Sequence, residues 1–144
     1  MCRWTIGMLA VGALAVSGCG ATSQGATTPR PPAPVNLTVY IDNRRVSVSP
    51  ASVGAGPVAF IITNQASQAE SLAVLRAGAA AGPPLADTGP INPQATAQIT
   101  VNFTSPGNYS LSTGGDAASA SSIQAASLRI GKPRSSSDDQ LLQP

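Results

Sequence analysis

The sequence predicts an all-β chain folded as an antiparallel two-sheet Greek-key sandwich, and three observations predict it. Apolar and polar residues alternate at a period of two through most of residues 35–131, which puts aliphatic side chains on one face of successive strands. Gly, Pro, Asn and Ser interrupt the alternation at roughly regular spacing, as the turns between about seven short strands of a sandwich do. No stretch of this region carries an apolar stripe at the helical period. Two Ala-rich pieces, 77–81 and 117–126, are bounded or broken by Gly and Ser and allow one helical turn at most.

Ahead of the strands comes a targeting segment, residues 1–18. Arg3 stands in a short basic start, and Ile6 to Val16 form an apolar run of about 11 residues. That length suits the core of a secretory signal and falls short of the ~20 residues needed to span a bilayer. Val16, Ser17, Gly18 and Cys19 resemble the lipobox of bacterial lipoproteins. The resemblance implies that the Cys19 thiol takes a diacylglycerol and becomes the first residue of the mature chain. Two acyl chains bury many methylenes at ~0.8 kcal/mol each, so the expected anchor is effectively permanent. The expected address is the extracytoplasmic face of the cell membrane, with membrane lipid held through acylated Cys19. Cys2, the other cysteine, lies in the segment to be removed, so no disulfide is expected and the fold must rest on its core and its backbone pairing.

Residues 19–34 read as a flexible tether: Ala, Thr, Ser, Gln, Gly and Pro with one charge, Arg30, ending in P-R-P-P-A-P. Their apolar surface is too small to offset ~1–2 kcal/mol of backbone ordering per residue. Residues 132–144, with three consecutive serines and Asp138 and Asp139, read as a disordered tail.

The domain between them, 35–131, opens with Val35, Leu37, Val39 and Ile41 on one face of a strand, and Val46 and Val48 continue the pattern until Pro50. After the punctuation G-A-G-P, Val58 to Ile62 is continuously apolar, the mark of a central strand covered on both faces. Leu72 and Val74 follow, with Ala73 and Leu75 opposite. Ala97, Ile99, Val101 and Phe103 alternate with Gln98, Thr100 and Asn102. S-P-G-N then makes a turn into Tyr109 and Leu111, and Ile123, Ala125 or Ala126, Leu128 and Ile130 mark a last strand. The pairs G-P-P, T-G-P and G-G supply the remaining turns. A domain of this size buries somewhat over ~60% of its unfolded surface, enough for one core. With only two Phe and two Tyr, and Trp4 leaving with the signal, that core is expected to be Val, Ile, Leu and Ala.

The order of these pieces resembles a cupredoxin-like domain. The matching features are V-x-F-x-x-x-N from Val58 to Asn64, the apolar strand near Leu72, T-G-P-I-N-P from Thr88 to Pro93, the alternating strand to Phe103, and P-G-N-Y from Pro106 to Tyr109. In copper-binding members a His follows the Asn, and a Cys, a second His and often a Met gather on the loop after the P-G-x-Y strand. The matching positions here fall near Glu70 and Thr113, the loop 114–122 offers Asp116 and serines, and the sequence contains no His. A blue-copper site needs two imidazoles and a thiolate, so the domain is expected to be metal-free, with no cofactor. Glu70, Asp87 and Asp116 are oxygen donors of the kind Ca²⁺ accepts, but their spacing matches no recognised loop and they read as ordinary exposed acids.

Composition narrows the function further. The mature chain is close to neutral and its longest basic run is Arg44–Arg45, read as a solvated turn, which argues against a nucleic-acid partner. Without His the usual general base is missing, no Ser stands in a nucleophile-elbow context, and Lys132 lies at the expected frayed end, so no enzyme is expected. The tripeptides N-L-T, N-F-T and N-Y-S fall on predicted strands as alternating polar positions. A neutral polar surface suits protein contact, and edge strands supply main-chain hydrogen bonds. The expected function is therefore a protein-binding accessory or scaffold module at the cell envelope, its partner an envelope protein. The alternative is a carrier of a small apolar or lipid ligand between the two sheets.

Overall fold

The computed structural model describes residues 31–78, 82–114 and 123–135. The expected export signal, Cys19 and most of the expected tether lie outside the described residues, as do Asp116 and residues 136–144. The described chain forms eight strands and no helix: β1 (Val35–Ile41), β2 (Val46–Ser49), β3 (Ser52–Asn64), β4 (Leu72–Arg76), β5 (Ala86–Asp87), β6 (Thr96–Phe103), β7 (Gly107–Thr113) and β8 (Ala126–Pro133). One sheet has the order β2-β1-β3-β6 and the other β3-β8-β7-β4-β5, so β3 belongs to both.

The expectation of a purely antiparallel sandwich is corrected here: β1 runs parallel to β3, and β3 runs parallel to β8. Alternation along a strand reports which face is buried and not which way its neighbour runs. Hairpin neighbours are antiparallel by necessity, whereas strands brought together by crossing between sheets are free of that constraint. The G-A-G-P segment, expected as punctuation, is continuous strand. The first part of β3, from Ser52, pairs with β8; the register shifts between Gly54 and Ala55; and from Gly56 onward the strand pairs with β6. A bulge with glycine is how a strand bends out of one sheet into another. Gly56 sits at φ 129°, and a Cβ there would lie 2.8 Å from the Arg134 guanidinium and 3.0 Å from Pro32. That position requires glycine for its backbone angle, and a side chain there would displace the Arg134 guanidinium from its carbonyls.

Alternation places the core as expected in β1 and β6: Leu37, Val39 and Ile41 are buried, and Thr96, Gln98, Thr100 and Asn102 face outward. Val58, Ala59, Phe60 and Ile62 are buried on the central strand, and in β4 Leu72, Ala73 and Val74 are buried on both faces. Phe60, Phe103 and Tyr109 form the middle of this core, which is not purely aliphatic, while Tyr40 stays exposed. Phe60 and Phe103 meet edge to face at 6.2 Å, and Phe103 meets Tyr109 at 4.7 Å. Such pairs add to the area they bury. The Tyr109 hydroxyl escapes the core by donating to the Ser105 carbonyl at 3.0 Å.

Strand β8 passes the expected domain boundary at Gly131 and runs to Pro133. Beyond it, the Arg134 main-chain N–H donates to Ala55 O at 3.1 Å, and its guanidinium donates to the carbonyls of Ala33, Ala55 and Pro57. Residues 132–134 and the end of the expected tether at Ala33 therefore belong to the folded unit.

Candidate functional site

The two positions that the cupredoxin-like resemblance matches with copper ligands, near Glu70 and near Thr113, come to one end of the sandwich. Glu70, half-buried, makes an isolated bridge with Ile91: its N–H donates to Ile91 O at 3.1 Å, and the Ile91 N–H donates back at 2.8 Å. Thr113, buried, stands at the end of β7 opposite Leu72. Beside the Glu70–Ile91 bridge sits Asn64, the last residue of β3, with no exposed surface. Its Nδ2 donates to Gln68 O and to Ile91 O, each at 2.8 Å, and its Oδ1 accepts the Ala66 N–H at 2.9 Å. Every polar atom of the amide is thus matched, so Asn64 ties the 65–71 and 88–95 loops together as a structural hub. Among the described residues no group of three or more His, Cys, Asp or Glu side chains is gathered.

Arg44 and Arg45 are exposed in the turn between β1 and β2, as expected. Asp42 organises that turn. Its Oδ1 accepts the N–H groups of Arg44 at 2.7 Å and Arg45 at 2.9 Å. Those two bonds hold its carboxyl below the ordinary carboxylate value, with the nearby arginine charges adding a smaller push in the same direction. The asparagines of the three N-x-Ser/Thr tripeptides, Asn36, Asn102 and Asn108, all occupy exposed strand positions.

Two features were not legible in the sequence as sites. The first is the segregation of charge along the sandwich. Asp42, Glu70 and Asp87 stand at the Asn64 end, with Arg44 and Arg45. Arg76, Arg129, Lys132 and Arg134 stand at the opposite end, where β7 begins and β8 finishes. That end carries an open depression of about 480 Å³ lined by Pro106, Gly107, Asn108, Arg129, Ile130, Gly131 and Lys132. The residues are separate in sequence and adjacent only through the pairing of β7 with β8, Asn108 opposite Arg129 and Gly107 opposite Ile130.

The second is the contrast among sheet edges. β2 is four residues long, follows Arg44–Arg45, precedes Pro50 and is partly covered by Gln124, which accepts the Val46 N–H. β5 is two residues long, with Pro83, Pro84 and Pro90 nearby. β6, T-A-Q-I-T-V-N-F, is eight residues long, pairs among the described strands only with β3, and contains no charge, Pro or Gly. Lysines, prolines and short length are the usual guards of an exposed edge, and β6 has none of them.

No protein-family model matches this sequence, and no curated protein sequence does. Solved structures that resemble the fold include these two. One is reduced auracyanin from the photosynthetic bacterium Roseiflexus castenholzii, 13% identical, covering 68% of this chain and 96% of that one with a TM-score of 0.49. The other is a multicopper oxidase, 14% identical, covering 71% of this chain and 46% of the other with a TM-score of 0.48. Likenesses at such identities concern fold and carry nothing about activity. The all-β, two-sheet arrangement expected from the cupredoxin-like resemblance is what the strand order itself displays.

Proposed function

We propose that this chain is an exported lipoprotein, anchored through Cys19 at the extracytoplasmic face of the membrane, whose metal-free sandwich is a protein-binding accessory module of the cell envelope. The observation that supports the binding role is the β6 edge. It is long, neutral and unguarded, beside two edges that are short and guarded. An extended segment of a partner adds to such an edge through main-chain hydrogen bonds, with the exposed side chains of Thr96, Gln98, Thr100 and Asn102 giving specificity. The positions that the resemblance matches with copper ligands fall near Glu70 and Thr113 in a sequence without His, which favours a scaffold over a redox centre. The carrier reading needs space between the sheets, whereas the 480 Å³ depression lies beside two strands of a single sheet at its rim.

The test is affinity purification of the tagged full chain from mildly solubilised envelope, with bound proteins and lipids identified by mass spectrometry. A stoichiometric protein is expected, and it should be lost from Thr100→Lys, which puts a guarding cation on β6 at an exposed position and should change stability by no more than about 0.5 kcal/mol. Recovery of the chain with a defined lipid and no protein would replace the proposal with the carrier.

A further inference from the structure

We infer that the cationic end of the sandwich is its membrane-facing end and touches anionic phospholipid headgroups, so that the domain lies on the bilayer surface instead of standing off it. This rests on the reading of Cys19 as an acylated anchor.

Three observations converge. The first is charge. Arg76, Arg129 and Lys132 are exposed, and Arg134 half-exposed, at the end where β7 starts and β8 finishes, while the described carboxylates stand at the far end. The described ion pair, Asp42 with Arg45, is also at the far end, so these four cations keep their charge unmatched by any described acid.

The second is shape. The depression at this end is of ligand size, and its rim presents the Arg129 and Lys132 cations and the Asn108 amide. Guanidinium, ammonium and amide N–H groups are the donors a phosphodiester takes.

The third is the path of the chain. Arg134 donates to Ala33 O at 2.7 Å while also holding Ala55 and Pro57, and Pro32 lies against Gly56. The segment leading back to Cys19 therefore leaves the domain at the cationic end. Between Cys19 and Pro31 the chain reaches at most about 40 Å when fully extended. A domain confined that close to a bilayer meets it at high effective concentration, so a modest attraction decides its posture. Each Lys or Arg brought near an anionic surface shifts the contact equilibrium about fivefold.

The full chain, purified with its lipid, is reconstituted into supported bilayers of phosphatidylcholine alone or with phosphatidylglycerol, and the separation of the domain from the headgroups is read by neutron reflectometry. Contact is expected on the anionic bilayer and a gap on the neutral one. Contact should also weaken as the Debye length falls from about 10 Å at 0.1 M salt to about 3 Å at 1 M. Arg129→Gln and Lys132→Gln should each lower the ratio of contacting to detached domain about fivefold. The same separation on both bilayers, or contact that ignores salt, overturns the inference. Mass spectrometry of Cys19 separates this failure from failure of the anchor. A chain without lipid leaves both bilayers, and its sedimentation with vesicles then decides between the outcomes: preference for phosphatidylglycerol supports the inference and equal recovery overturns it.

Discussion

The two ends of the sandwich are closed by different chemistry. At one end a neutral amide, Asn64, is buried without exposed surface and spends each polar atom on a neighbouring loop. At the other a cation, Arg134, reaches across the β3 bend to three carbonyls and stays half in water. A neutral group can be sealed in once its hydrogen bonds are matched, but a charge cannot be buried cheaply without a counter-ion. The Asn64 side chain is thereby satisfied within the fold, whereas the Arg134 guanidinium keeps part of its surface in water.

The largest effect that tests this contrast is at Asn64. Asn64→Ala leaves the buried Ala66 N–H without its acceptor and takes a donor from the Gln68 carbonyl and from the Ile91 carbonyl, which keeps its bond from the Glu70 N–H, and should cost about 2–4 kcal/mol in urea unfolding. Asn64→Asp keeps the shape and the acceptor but removes the donor to two carbonyls, so it should be no better tolerated than alanine. A cost under about 1 kcal/mol for both would show that the loops close without the amide.

Arg134→Met, which keeps much of the aliphatic stem, should cost less, about 1–2 kcal/mol, because water competes for a half-exposed guanidinium and takes over the abandoned carbonyls. A loss equal to that at Asn64 would mean that the two ends are closed alike.

The sequence was most informative where one period governs a whole strand. Leu37, Val39 and Ile41, or Gln98, Thr100 and Asn102, are placed by alternation alone, and the turns around Pro50 and P-G-N follow from backbone chemistry. It was least informative where one strand does two things. Gly54, Ala55, Gly56 and Pro57 carry the marks of a turn, yet here they bend β3 from one sheet to the other, a role that depends on β8 and β6 arriving from far along the chain. Arg134 and Ala33 meet across about a hundred positions for the same reason. The resemblance matched copper-ligand positions near Glu70 and Thr113, and both stand at one end of the sandwich, where Asn64 ends β3. The opposite end, where Arg76, Asn108, Arg129 and Lys132 gather, was invisible because strand pairing, not spacing, assembles it.

The smallest expected effect lies at Asp42, which shares an end with Asn64 but not its burial. Its carboxylate accepts the N–H groups of Arg44 and Arg45, and those bonds lower its pKa below the ordinary 3.8. A carboxyl whose pKa falls on folding stabilises the native state above its unfolded pKa, and that contribution disappears as pH falls through the folded value. Asp42→Asn keeps an oxygen for the two N–H groups, so the turn should persist at neutral pH with a minor loss of melting temperature. The difference between wild type and variant should then shrink below about pH 3.8, as the wild-type carboxyl takes up its proton. Thermal unfolding of both proteins from neutral pH to acid reads this directly. Asp42 and Asn64 each accept backbone N–H groups in loops at one end of the molecule, so if Asp42→Asn cost as much as Asn64→Ala, burial would not be what separates them.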